Sequence, residues 1–187
     1  MRRVAHDPVP AMSEVIPDYI TPEVKALIGA EAPPQLTCHP VEPSEVRRFH
    51  QAVMDHAPKY WDETAARRYG GVVAPLGFPV HAYRRAEDGP DPLAAMDQPD
   101  YDGVDRALRP GLPAVVVPLK RLMNGGYEYE LFRHARPGER ILLRSRYADI
   151  YQRNGKTGPI VFVVIEDSYE TDRGEKLLRS LNTMILR

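Results

Sequence analysis

Apolar runs separated by short turns fill the last third of the chain, and they leave few folds open to it. The run 119–133 alternates, with Tyr127, Tyr129 and Leu131 on one face and Glu128, Glu130 and Phe132 on the other. Arg136-Pro137-Gly138-Glu139 turns the chain into a second run, 141–151. Asn154-Gly155 is a two-residue hairpin signal, because both residues tolerate the positive φ of a tight turn. Residues 160–165 are apolar without interruption, the pattern of a strand buried on both faces. Thr171-Asp172-Arg173-Gly174 turns the chain once more into 177–186. Strands joined by turns this short pair antiparallel with their neighbours. A further strand, 35–41, lies upstream, and helical segments flank it. The fold class that follows is α+β, a five-stranded antiparallel sheet with helices on one side.

The helical part is read from caps and breakers. Thr21-Pro22-Glu23 starts a helix that runs through Val24, Leu27 and Ile28 and stops at Gly29. Ser44 is the expected N-cap of a second helix, in which Val46, Phe49 and Val53 recur at helical spacing. Pro58 ends that helix, so Asp55 is delivered at its C-terminal end, where the helix dipole raises a carboxylate pKa unless donors compensate. A short amphipathic piece, 62–68, follows and stops at Gly70-Gly71. No other stretch sets an acid, a histidine, two aromatics and a second acid so close together.

The ordering in this stretch resembles the MaoC-like (R)-specific enoyl-thioester hydratases and dehydratases. Their short helix ends in Asp-x-x-Pro-x-His-x-Asp; here the segment reads Asp55-His56-Ala57-Pro58-Lys59-Tyr60-Trp61-Asp62. Arg47-Arg48-Phe49, Ala52, Asp55 and Val73-Ala74-Pro75 are similar to the branch called the MaoC-like dehydratase N-terminal domain. The resemblance implies a hot-dog fold, a five-stranded sheet wrapped around a central helix. Pro79 and Asp88-Gly89-Pro90 confine that helix to a short piece after Pro75, which leaves room for a bulky acyl chain. One domain is expected over 19–187, with 1–18 a flexible tail and 86–113 a long loop inserted in the domain. That loop is either a surface excursion or a wall or lid of a substrate channel.

The resemblance also implies chemistry. Family members add water reversibly across a 2-enoyl thioester of CoA or carrier protein, with an aspartate and a histidine holding one water between them. Asp55 fills the aspartate position, and Tyr60 stands where the histidine belongs. A phenol with an ordinary pKa of about 10 is no base at neutral pH. The family's His-Gly pair, whose glycine N–H polarises the thioester carbonyl, aligns with Pro75 and Leu76. Asp55 and Tyr60 are therefore the candidate catalytic residues. Pro75, Leu76 and Gly77 are candidate substrate-binding residues, together with Asn124, Gly125 and Gly126, whose glycines interrupt a strand as a bulge or a close approach to ligand would.

Composition bears on partners. The net charge is −1, which gives no general affinity for nucleic acid or anionic membranes. The single cysteine, Cys38, is expected buried in a strand and excludes an internal disulfide. The histidines are too scattered for metal-ligand spacing, so neither metal nor cofactor is expected. No phosphate-binding loop, dinucleotide fingerprint or nucleophile elbow appears. Arg67, Arg68, Arg144 and Arg146 are the arginines that could meet a CoA phosphate. With no transmembrane run, a cytoplasmic protein is expected.

Three readings stay open. The first is an acyl-thioester-binding subunit that pairs with a catalytic hot-dog chain. The second is a self-sufficient homodimer in which Asp55 works with Tyr60, His56 or His81. The third is a non-enzymatic acyl-CoA-binding module; a thioesterase on the same fold also fits.

Overall fold

The computed structural model describes residues 17–84, 86, 88–91, 93–103, 105–156 and 158–187, so the expected tail lies outside the described residues up to residue 16. The elements follow in the order α1 (Pro22–Lys25), β1 (Gln35–Leu36), α2 (Pro43–Ala52), α3 (Glu63–Ala66), α4 (Phe78–His81), β2 (Leu122–Leu131), β3 (Ile141–Gly155), β4 (Gly158–Thr171) and β5 (Lys176–Leu186). The five strands form one antiparallel sheet in the order β1-β3-β4-β5-β2. Short α4 lies against its concave face through Phe78, which is buried with Ile141, Tyr169, Leu177 and Leu178. This is the hot-dog arrangement with a short central helix that the sequence implied, with one correction. β2, expected beside β3 across the 136–139 turn, pairs with β5 instead, so that β3 is free to pair with β1 and only β3, β4 and β5 form a meander.

Several local expectations shift. The β3–β4 turn falls between Gly155 and Gly158, two residues beyond Asn154-Gly155, because Asn154 still pairs with Pro159. β4 buries one face only: Val161, Val163, Ile165, Asp167, Tyr169 and Thr171 point inward, while Ile160, Phe162 and Val164 on the other face are half-buried. Cys38 sits in a bend just past β1, half-buried, with its thiol toward the Arg84 carbonyl, so it is not in a strand. Ser44 lies inside α2; Glu42 holds the N-cap position without a side-chain bond, and Pro43 at the first position suits a helix start.

The end of α2 matters most for the site. Met54 adopts a left-handed φ of 56°. The Asp55 N–H then donates to the His50 carbonyl and the Met54 N–H to that of Gln51, the paired bonds that close a helix C-terminus. A left-handed backbone strains any residue with a Cβ, and the Met54 side chain is exposed. Met54→Gly is therefore expected to stabilise the protein by about 1 kcal/mol, read as a rise of about 2–4 °C in thermal midpoint.

Two apolar clusters sit on the concave face. One gathers Val46, Tyr60, Val73, Phe78 and Leu177 around α2 and α4. The other gathers Val24, Tyr147, Ile150, Val161 and Val163 with Leu112, Val115 and Val117 of the connection between α4 and β2. The connection thus packs onto the sheet through Leu108, Leu112, Val115 and Val117, and the Tyr147 phenol anchors it by donating to the Pro113 carbonyl at 2.8 Å.

Candidate functional site

The turn after α2 brings Asp55 back over Tyr60. The Tyr60 phenol donates to Asp55 Oδ2 at 2.6 Å, and the Ala57 N–H donates to Oδ1 at 3.2 Å. These donors hold the Asp55 carboxyl below its usual range, with Tyr60 the largest cause, so the expected upward push of the helix dipole is outweighed. Burial, reinforced by the Asp55 bond, drives the Tyr60 phenol well above its ordinary value. The pair is a donor and an acceptor satisfied by each other. At neutral pH Tyr60 cannot take a proton from water.

Sequence distance hid another member of the site. His134, three residues past β2, lies with its ring centroid 6.5 Å from that of Tyr60 and 5.3 Å from that of Tyr69. Its Nδ1 donates to the Ala74 carbonyl at 2.6 Å, which fixes the tautomer, and Nε2 accepts from Lys59 Nζ at 3.4 Å. Both ring nitrogens are therefore engaged. Burial depresses the imidazole pKa, and the Lys59 charge lowers it further against the opposing Ala74 bond. Lys59 also lies over the rings of Tyr60 and Tyr69, at 5.2 and 5.3 Å from their centroids.

The sign of the pH effect follows. Below about 6.5 the unfolded chain protonates its histidine before the folded one does, so the stability tied to neutral His134 is present above that pH and is lost as pH falls. His134→Asn keeps an amide donor for Ala74. It is expected to flatten the acid-side fall in denaturant midpoint between pH 7 and 5 by less than one proton's worth of slope.

Among the described residues, none of the other histidines makes a side-chain hydrogen bond to Asp55. His81 bonds Arg84 and faces Glu45, with its ring 5.1 Å from Phe49. His56 is exposed and meets His50 edge to face at 6.3 Å. His50 is buried, stacked on Tyr60 at 5.6 Å and beside Trp61 at 5.1 Å, with Nδ1 unpaired. No group of three or more metal-binding side chains occurs among the described residues.

Pro75, Leu76 and Gly77 run from this cluster into α4. The Ala74 N–H donates to the Ala135 carbonyl at 2.8 Å, which ties the segment to the chain leaving β2. Leu76 lines one cavity, of about 510 Å³, with Arg68, Tyr69, His134 and Arg136. Gly77 lines another, of about 460 Å³, with Phe49, Val80, Leu131 and Leu178. Phe132 borders the first and Leu131 the second, so one seam separates a basic cavity from an apolar one. Of the arginines singled out in the sequence, only Arg68 lines this basic cavity. Arg144 and Arg146 point to the outer face of the sheet and pair with Glu170 and Glu166 at 3.1 and 2.9 Å.

Asn124, Gly125 and Gly126 are not brought to this seam. They form a bulge on β2, about 23 Å of strand from Leu131. Asn124 Oδ1 accepts from the Gly126 N–H at 2.9 Å and from Asn182 Nδ2 at 3.0 Å. A Cβ on Gly125 would stand 2.9 Å from both Ile185 Cδ1 and the Thr183 carbonyl, so the residue is needed for strand packing.

Residues 26–179 match the family model described as the FAS1-like dehydratase domain region. The chain belongs to this family. A UPF0336 protein of Saccharopolyspora erythraea is 26% identical over 165 residues, 87% of this chain and 90% of that protein. In fold the chain is similar to the ChsH1-ChsH2 complex of Mycobacterium tuberculosis, with a TM-score of 0.62 and 18% identity over 87% of this chain and 86% of the other. The HadBC (3R-hydroxyacyl-ACP dehydratase) complex of the same organism gives 0.55 and 21% over 85% and 96%. A MaoC-like dehydratase of Rhodospirillum rubrum gives 0.55 and 20% over 85% and 91%. Family membership and fold agree with the dehydratase resemblance of the Asp55–Asp62 segment. No described helix is long and apolar enough to cross a membrane.

Proposed function

We propose that this chain is the acyl-thioester-binding subunit of a 2-enoyl-thioester hydratase, or 3-hydroxyacyl-thioester dehydratase, and that a second hot-dog chain supplies the catalytic acid–histidine pair. The observation that carries the reading is the seam at Leu76 and Gly77. A basic cavity lies on one side and an apolar cavity on the other, as a molecule with a phosphate-bearing arm and a hydrocarbon end requires. Arg68 and Arg136 suit the phosphates of CoA or of a carrier-protein arm. The Leu76 and Gly77 N–H groups donate to no backbone acceptor among the described residues, which supports assigning them to the thioester carbonyl.

Two features favour a second chain. Asp55 is closed onto Tyr60, and His134 has both nitrogens engaged, so these two do not form the acid–histidine pair of the resemblance. β2 is an edge strand that leaves Met123, Tyr127, Tyr129 and Leu131 exposed, and the last two of these line the apolar cavity. Two of the structures similar in fold are, by name, complexes. A homodimer would repeat the same closed pair twice.

The test is to co-express the chain with a neighbouring reading frame that carries an intact Asp-x-x-Pro-x-His segment. A stable complex that hydrates a 2-enoyl thioester supports the reading. A chain that stays monomeric at micromolar concentration and binds no thioester overturns it.

A further inference from the structure

Between the two apolar clusters a row of polar side chains crosses the concave face. Register places Ser145 of β3, Asp167 of β4, Ser180 of β5 and Tyr129 of β2 side by side. Asp167 is buried, and Arg109 reaches it from the connection above the sheet. Arg109 Nε and Nη2 donate to Asp167 Oδ2 at 3.0 and 2.8 Å, Ser145 Oγ donates to Oδ1 at 2.6 Å, and Arg109 Nη2 also donates to Asn182 Oδ1 at 3.2 Å. Asn182 is held in turn by Asn124 Oδ1 and the Gly126 carbonyl, both at 3.0 Å.

The apolar cavity meets this row at Tyr129. Its walls include Leu131 and Leu178, which pair across β2 and β5, and Tyr129, which belongs to the next inward-facing row, about 7 Å further along the strand. Beyond the row the face is occupied by Leu112, Val115, Val117 and their neighbours. Resting on the thioester reading above, we propose that the Arg109–Asp167 pair is the end wall of the acyl cavity and sets the length of hydrocarbon chain the protein accepts.

The pair is built as a wall and not as a recognition site. Asp167 already accepts from Arg109 and Ser145, and Arg109 has a further bond to the Leu108 carbonyl at 2.9 Å, so little hydrogen-bonding capacity is left for a ligand. A methylene sliding into the cavity tightens binding about fourfold while it stays on apolar surface. A methylene that reaches the row must displace a hydrogen-bonded ion pair or bend back to water, and the gain stops. The Gly125-Gly126 bulge acquires a role here, since it aims Asn124 at Asn182 and so braces the Arg109 end of the wall.

The test measures equilibrium binding of S-acyl phosphopantetheines, the part common to CoA and carrier protein, to the full-length chain with any partner that co-purifies. Butanoyl, octanoyl and dodecanoyl groups are compared. The wild type is expected to gain affinity with length at first and then to lose it, with dodecanoyl at least tenfold weaker than the best length. Arg109→Ala/Asp167→Asn, which removes both charges and opens space, is expected to shift the optimum to longer chains. Affinity that keeps rising about fourfold per methylene to dodecanoyl in the wild type overturns the wall without recourse to any variant. An unshifted optimum in a folded double variant overturns it as well. Failure of every length to bind overturns the thioester reading itself and the wall with it, an outcome distinct from the other two.

Discussion

On its own, this chain is expected to hydrate a 2-enoyl thioester about a hundredfold to ten-thousandfold more slowly than the proposed complex with a catalytic hot-dog chain, the usual cost of losing a proton-transfer group. Hydration needs an acid that orients water, a base that takes its proton, and donors for the thioester oxygen. The chain offers donors at Leu76 and Gly77. Its acid, Asp55, is occupied by the Tyr60 phenol at 2.6 Å, and burial and that bond both oppose ionisation of the phenol. Asp55→Ala should therefore leave turnover of the complex within a few-fold of wild type, where the same change at a working acid costs orders of magnitude. Tyr60→His should restore weak activity to the isolated chain, since an imidazole at that position again shares a water with Asp55. Wild-type chain that turns over alone at ordinary enzymatic rates, and that Asp55→Ala silences, reverses the argument. His134 would then be the ring to examine.

The limits of the sequence are instructive at particular residues. The β3-β4-β5 meander is legible because short turns force neighbouring strands to pair, and Pro79 with Asp88-Gly89-Pro90 bounds the central helix by the same local logic. The pairing of β2 with β5 is not legible, because it joins strands distant in the chain. The β3–β4 turn moved by two residues because pairing along β3 and β4 outweighs local turn preference. His134 is silent in the sequence: nothing near it in the chain ties it to Tyr60, and the stitching of Ala74 to Ala135 brings them together. Arg109 and Asp167 were unreadable for a related reason. They lie 58 residues apart, and Arg109 sits in a Pro/Asp/Gly-rich connection without periodicity to say which way it faces. Asp167 lies beyond the apolar run 160–165, on the inward face of the longer β4, and a lone acid there gives no hint of its partner.

Arg109→Ala is expected to be strongly destabilising, at about 3 kcal/mol or more, because it strands a buried carboxylate. The side chain of Asp167 is 2% exposed against 21% for Arg109, so water can compensate the arginine end but not the acid end. The change also removes a donor from Asn182 and loosens the segment that carries Leu112, Val115 and Val117 onto the sheet. Against a total stability of about 5–15 kcal/mol for a domain, that loss is large. Pairing it with Asp167→Asn should recover more than half of it. The amide keeps an acceptor for Ser145, offers a donor toward Asn182, and carries no charge to desolvate. Urea unfolding of the three proteins measures both quantities. A loss below about 1 kcal/mol for Arg109→Ala would class the contact with solvent-exposed ion pairs. The wall across the sheet would then be Asp167, Ser145 and water, too yielding to stop a hydrocarbon chain. The stability measurement and the chain-length profile must therefore agree: a pair strong enough to end the cavity is strong enough to be missed when half of it is removed.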